Sequence, residues 1–494
     1  MKRKYWLLAI AAVLYLAILI AHIQTRRPWN DEAWFAIPAE NLAFNGFMGI
    51  TNYESAGTGM TNVNRYAFIF FPLNVVVLAG WFKIVGSSLF AVRILSSFFA
   101  MGLIAVFFFL IKRWTQNETI AWITLGLLTV DYQMMVAASF GRYEPLVSLF
   151  GFGGYYAYLT LRERDLRWAL AVSNALICLC GMTHPNGLMF FAGLAFLILY
   201  HDRSRLAWGH IVWVGVPYLL GAAAWGNFIM KSPQDFLNQM RANSFSRIGL
   251  ADPIGTIHRE MLRYLSAFGF SEGHSAGLSG PSQLKIIVLF AYIFGVIWVA
   301  ASKKLRSQPG IKVLLWLTMI HQLYFTFIEG IKFTYYVVHM VGLLSCFLAI
   351  TVYDIWSNRR LPKWMIVGAL ALIAVLQVGG VLFRIRGDTM HKGYIPAVTY
   401  IEQHAKPTDL VMASLEICFQ YGLRDNWVDD IRWGFFSGKV PKYLVLEEAY
   451  EGNLPGFRRQ LPKLADFMEA RLKNEYSLVH DQGGYKIYER KQGL

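Results

Sequence analysis

The chain has 494 residues, 56% of them hydrophobic and only 16% charged, against about 25% charged in an ordinary soluble domain, so lipid rather than water is the solvent for most of it. The formal net charge of +15 does not indicate a nucleic-acid partner, because the positive residues stand in short clusters between apolar runs and form no continuous basic face. The four cysteines build neither a disulfide framework nor a zinc site: Cys178, Cys180 and Cys346 lie inside apolar runs and Cys418 is alone in a polar tail.

A bilayer core of about 30 Å asks for roughly 20 apolar residues per helix. Residues 5–23 follow Lys2-Arg3-Lys4 and precede Thr25-Arg26-Arg27 with no small-residue cleavage site, which reads as an anchor with its N-terminus in the cytoplasm. Trp29-Asn30-Asp31-Glu32-Ala33-Trp34 comes next, and its pattern predicts a helix over 32–44 capped by Asn30 or Asp31, with the tryptophans at the membrane interface. The apolar run 67–86 holds Pro72 and Asn74, with Lys83 near its end. It reads as a juxtamembrane or re-entrant helix within an external loop over 24–88.

Further apolar runs at 89–111, 120–139, 146–161, 166–182, 188–200, 211–230, 284–301, 313–328, 333–353 and 364–383 make about eleven spans with the first. Counting 67–86 as a span would put the basic clusters at 112–113, 162–167, 203–205, 303–306 and 359–363 all outside. Leaving it out puts all five inside, as the positive-inside rule requires. The N-terminus is then cytoplasmic, and 140–145, 183–187, the long loop 231–283 and the tail face outward. The fold class expected is an α-helical polytopic membrane domain over 1–383, followed by a small extracytoplasmic α/β domain over 384–494. In that tail, 394–404 reads as a helix, 410–413 and 443–446 as buried strands, and 476–479 with 485–488 as a hairpin around Asp481-Gln482-Gly483-Gly484.

The outward segments carry the chemistry. Asp31 and Glu32 adjoin the first span, and Glu144 stands directly before Pro145 at the start of another. Glu144 suits a helix start, where a carboxylate complements the dipole; it also suits a functional site, since acids at a membrane boundary are costly. His184 lies in the turn Thr183-His184-Pro185-Asn186-Gly187. Lys332 precedes Phe333-Thr334-Tyr335-Tyr336 at an outer boundary, and Arg65, Arg241, Arg247, Arg259 and Arg263 add further outward cations. Carboxylates able to take a proton from a hydroxyl, beside cations able to hold a departing phosphate, are the ingredients of glycosyl transfer.

The order of these features resembles the GT-C glycosyltransferases, in the branch of protein O-mannosyltransferases and lipid A aminoarabinose transferases. The resemblance runs over about the first 350 residues. It rests on Asp31-Glu32-Ala33-Trp34, the non-spanning run, Phe90-Ala91-Val92-Arg93, Arg142-Tyr143-Glu144-Pro145, the Thr183-His184 turn, and Lys332 with Tyr335-Tyr336. It implies an inverting transfer of a sugar from a polyprenyl-phosphate donor to a hydroxyl of a lipid, glycan or protein acceptor, in the inner (plasma) membrane. By the same resemblance Asp31 is the catalytic carboxylate, Glu144 its partner in acceptor binding or metal coordination, and Arg142 and Lys332 the candidates for the carrier phosphate; Glu32 joins Asp31 and Glu144 in the expected catalytic set, and Arg65, Tyr66, His184 and Tyr336 join the expected substrate contacts. A divalent cation (magnesium, manganese or zinc) held by Asp31 and Glu144 is one option and a metal-independent site the other. The tail lacks the features of a sugar-binding trefoil, which weighs against a protein acceptor. Two other classes stay open: a transporter or flippase of a lipid-linked saccharide, which would place ionisable groups at the bilayer midplane, and a ligase or polymerase using a pyrophosphate carrier.

Overall fold

The computed structural model describes residues 2–243, 249, 252–269 and 284–492. All eleven apolar runs become helices. They are α1 (Lys2–Thr25), α4 (Leu89–Thr115), a bent pair α5 (Glu118–Val130) and α6 (Tyr132–Ala138), α7 (Glu144–Leu161), α8 (Leu166–Thr183), α9 (Gly187–Asp202), α10 (His210–Ile229), α13 (Ile286–Ala301), α15 (Pro309–Leu323), α16 (Val338–Ser357) and α17 (Lys363–Gly387). Between them lie α2 (Asn30–Glu40), α3 (Pro72–Val85), α11 (Pro233–Asn243), α12 (Pro253–Ala267) and the single turn α14 (Lys303–Arg306). Among the described residues, six helices meet the length and apolarity of a span, seven with the bent pair counted as one, and α3, α9 and α13 are shorter apolar helices. The 14 residues of α3 rise only about 21 Å, too short for the bilayer core; it packs on α2 and α8 instead.

Two local departures from expectation have clear causes. Helix α2 is capped by Trp29, not by Asn30 or Asp31: Glu32 at the third position accepts the Trp29 backbone N–H at 2.9 Å, the one half of a capping box open to an N-cap side chain with no acceptor. The run 120–139 breaks by 63° between α5 and α6, because Asp131 leaves the helical conformation and its side chain accepts the Met134 N–H to start α6 afresh.

The basic clusters gather at one end of the bundle. Lys112 pairs with Glu118 at 2.8 Å, Arg113 with Glu163, and Arg162 and Arg205 with the buried Asp202 at 2.6 and 2.8 Å. Gly310 abuts the Trp114 carbonyl, where a Cβ would sit 1.8 Å from the oxygen, and Arg360 lies over Trp298 beside Asp354. The turns bearing Asp31, Arg142, His184 and Tyr336 close the opposite end.

The C-terminal domain holds a five-stranded sheet of β1 (Val411–Met412), β2 (Trp427–Val428), β3 (Tyr443–Leu446), β4 (Tyr476–Gln482) and β5 (Tyr485–Arg490), in the order β2-β1-β3-β5-β4. β1 pairs in parallel with β2 and β3, and β5 pairs antiparallel with β3 and β4. Gly483 and Gly484 both take positive φ, the requirement of a two-residue hairpin turn. Helices α18 (Ile395–His404), α19 (Cys418–Tyr421), α20 (Glu448–Gln460) and α21 (Pro462–Glu475) complete it. The domain is docked: Ala33, Ile37, Ile50 and Ile69, from the segment between α1 and α3, share a core with Val411, Trp427, Tyr443 and Tyr485. Glu54 and Asn52 also exchange backbone hydrogen bonds with Asp429 at 2.9 and 2.7 Å.

Candidate active site

An ion pair beneath the surface sets the frame. Arg93, one turn inside α4, is fully buried, and so is Glu32. The guanidinium meets the carboxylate fork to fork, Nε and Nη2 each donating at 2.7 Å, and its remaining N–H groups donate to the carbonyls of Ile23, Arg26 and Arg27 at 2.7–2.9 Å. Glu32 also accepts the Gly141 N–H at 2.9 Å. A Cβ on Gly141 would lie 2.2 Å from Val92, so only glycine lets that turn approach α4 so closely. Burial works to raise the Glu32 pKa, but Arg93, Arg26 and the Gly141 N–H together hold it below the usual value. Both oxygens are committed and none is open to a substrate, so Glu32 ties α1, α2, α4 and the Gly141 turn together rather than facing the cavity. This corrects its reading as a catalytic group.

Asp31, its neighbour, lies on the other side of the helix and lines a cavity of about 240 Å³ with Phe35, Asn74, Arg142, Tyr143, Thr183, His184, Tyr335 and Tyr336. Arg142 bridges the two acids of this site: Nη1 donates to Asp31, and Nε and Nη2 donate to Glu144 at 3.0 and 2.8 Å. The Arg142 and Glu144 side chains are each 2% exposed, whereas Asp31 is 36% exposed. The guanidinium lies 3.7 Å from the Tyr335 ring centroid, with Tyr143 at 5.2 Å. His184 stacks on Tyr143 at 4.5 Å, and its Nε2 is 3.2 Å from the Tyr336 hydroxyl. Burial opposes the Arg142 charge, but Glu144, Tyr335, Asp31 and Tyr143 outweigh it and hold the pKa well above the arginine norm.

The guanidinium already occupies the place between Asp31 and Glu144, and no group of three or more His, Cys, Asp or Glu side chains suited to a metal occurs among the described residues.

Other residues that the sequence marked lie elsewhere. Lys332, at φ +64°, turns its ammonium inward to the carbonyls of Phe325, Thr326 and Glu329, with Glu260 at 3.6 Å. It belongs to a buried cluster with Arg263, Glu260 and Glu329, and this corrects its assignment to a phosphate. Arg65 and Tyr66 line a neighbouring groove of about 400 Å³ with Met182, Trp225, Phe228 and Lys231, reached around Pro72 and Leu73 at the start of α3. Arg259 pairs with Asp252 at 3.2 Å on the surface, Arg241 is exposed, and Arg247 lies outside the described residues. The structure adds Phe35, Asn74 and Thr183 to the cavity wall, and of these Phe35 had no distinguishing sequence signal.

Neither a protein-family model nor a curated protein matches the chain by sequence. Solved structures do. ArnT from Cupriavidus metallidurans bound to undecaprenyl phosphate superposes with a TM-score of 0.63 at 12% identity, covering 98% of each chain. The Archaeoglobus fulgidus oligosaccharyltransferase in its apo form superposes with a TM-score of 0.57 at 13% identity, over 100% of this chain and 75% of that one. AglB of the same organism, in complex with an inhibitory peptide and a dolichol-phosphate, gives 0.53 at 13% identity, over 99% and 75%. The chain shares the fold of these structures over nearly its whole length.

Proposed function

We propose that this protein is an inverting membrane glycosyltransferase that moves a sugar from a polyprenyl-phosphate carrier to an acceptor hydroxyl on the outer face of the plasma membrane. The observation that carries the reading is the Asp31–Arg142–Glu144 constellation, in which one carboxylate is open and the other closed. Asp31 takes the proton of the acceptor hydroxyl, the hydroxyl oxygen bonds to the anomeric carbon, and the bond from that carbon to the phosphate oxygen breaks as polyprenyl phosphate departs. Glu144 fixes the guanidinium from behind. The carrier phosphate competes with Asp31 for Arg142, so donor binding frees the base as it supplies the leaving group.

Arg142 thus fills the role that a divalent cation would have between the two acids. The groove beside Arg65 and Lys231 suits the carrier, its walls of Leu42, Leu73, Val76, Trp225 and Phe228 being apolar and both of its cations exposed. The carriers bound by ArnT and AglB, undecaprenyl phosphate and dolichol-phosphate, support that class of donor. The five basic clusters opposite the cavity support a cytoplasmic N-terminus by the positive-inside rule.

The test is transfer in proteoliposomes loaded with labelled polyprenyl-phosphate sugar. Asp31→Asn should abolish label on the acceptor while leaving the protein folded; full transfer by that variant would remove Asp31 as base. Label that only changes leaflet, with none on an acceptor, would assign the protein to lipid transport.

A further inference from the structure

The ends of α1, α6, α13 and α17 enclose a second charged cluster that the reaction does not use. Lys285 is 2% exposed, and its ammonium lies 3.4 Å from the centroid of the Tyr132 ring. Arg384 lies over the same ring at 5.6 Å. Arg26 joins them from the end of α1, close enough to Arg384 that the two repel, and Arg384 repels Lys285 and His22 likewise.

These cations are short of partners. Lys285 Nζ, Arg26 Nη1, His22 Nε2 and the Tyr132 hydroxyl are buried without a hydrogen bond. Nearby acids are committed elsewhere: Asp131 accepts from Tyr292 and Gln377 at 2.7 Å each and from Met134, and Glu32 is saturated by Arg93, Gly141 and Trp29. No carboxylate forms an ion pair with Arg26, Lys285 or Arg384 among the described residues. A buried cation such as Lys285, lacking both an opposite charge and a hydrogen-bond acceptor, is strongly unfavourable, and Arg26 adds a buried unpaired Nη1 beside the half-buried Arg384, so the cluster calls for an anion with several acceptor oxygens. Its surroundings say what carries that anion. Leu284 and Ile287 at the start of α13, and Leu382 and Phe383 beside Arg384, are large apolar side chains exposed on the outside of the bundle, as acyl chains require.

We infer that Arg26, Lys285 and Arg384 bind the phosphate of an anionic phospholipid, seated at the outer membrane boundary with its acyl chains along α13 and α17. Phe140 contacts both Arg26 and Arg142, at 4.2 and 5.7 Å, so the lipid site stands one aromatic ring from the Asp31 cavity and helps fix the turn that carries Arg142.

The experiment is native mass spectrometry of the detergent-purified full chain titrated with phosphatidylglycerol, with phosphatidylcholine, and with inorganic phosphate. Phosphatidylglycerol should bind the wild type in preference to phosphatidylcholine. Lys285→Gln and Arg384→Gln should each weaken it about tenfold, the loss of one charge-assisted contact. Arg384 is half-buried at the surface, so its variant keeps the test readable if Lys285→Gln does not fold. Wild-type affinity in Arg384→Gln would overturn the site. Displacement of the lipid by inorganic phosphate at equal concentration would overturn the lipid as occupant in favour of a free anion. Neither result bears on Asp31, whose role is read from transfer alone.

Discussion

Replacing Arg93 by methionine removes a guanidinium whose five N–H groups serve Glu32 and the carbonyls of Ile23, Arg26 and Arg27. The glutamate is then a buried, uncompensated charge, a situation that costs about 3–5 kcal/mol, and the three carbonyls lose a donor worth about 1 kcal/mol each. Arg93→Met should therefore lie at or above the top of that range. Glu32→Leu strands the guanidinium but leaves its carbonyl bonds, and should lie nearer the bottom. In the double variant no buried charge remains, so its cost should fall at least about 2 kcal/mol short of the sum of the singles. The assay is equilibrium unfolding of the four proteins in mixed micelles, followed by tryptophan fluorescence, with transfer activity measured alongside. Both single variants should lose transfer at temperatures where they are still folded, because Asp31 shares its helical turn with Glu32. Costs that add within about 0.5 kcal/mol would refute the claim that this pair works as one joint.

Arg142→Met should lower the transfer rate about 100-fold, the usual loss of one donor to developing negative charge, and Arg142→Lys should recover little because lysine cannot span two acids. Chelation of divalent cations should leave wild-type transfer unchanged, since the guanidinium occupies the place between Asp31 and Glu144; loss of activity on chelation, restored by one metal, would refute the arginine's role. Arg65→Ala with Lys231→Ala should raise the KM for the donor more than it lowers kcat; an unchanged KM would move the carrier out of that groove. In the C-terminal domain, burial raises the Asp429 pKa to about 7, although Tyr450 and the Leu415 N–H donate to its carboxylate. A raised carboxyl favours the folded state fully below its unfolded value near 4 and loses that contribution as pH rises through about 7. The melting temperature should therefore fall across that window and stay flatter in Asp429→Asn.

The membrane domain was legible because lipid imposes a simple demand, a long apolar run bounded by polar residues, and basic residues of the marked clusters do gather at one end of the bundle. The bend at Asp131 was hidden within one apolar run, since a single acid there looks like an ordinary polar residue until Met134, Tyr292 and Gln377 are seen to converge on it. In the tail, the Gly483-Gly484 hairpin was readable from its turn chemistry. Strand β2 was not, because two residues are too few to show alternation and its parallel partner β1 lies across a connection that includes α19. Nor could composition reveal that the domain would share a core with Ala33 and Ile37, since contacts between distant segments leave no periodic trace.

The site shows where reading residue types stops being enough. Asp31 and Glu32 are chemically alike and adjacent, yet on a helix neighbours point about 100° apart, so only one can face a given cavity. The sequence did hold a clue to which. An arginine one turn into an apolar span needs a buried anion, and Arg93 had no acid within its own helix, so one of the outer carboxylates had to be given up to it. Glu32, three residues after the helix cap, was the one already turned back toward the chain. The same logic explains Lys332: a cation against the positive-inside rule wants an anion, but Glu260 met that want within the protein. A charge whose partner lies far along the chain is read as free for a ligand until the pairing is known. What then separates base from buttress is exposure, and exposure singles out Asp31 over Glu144 on the shared arginine.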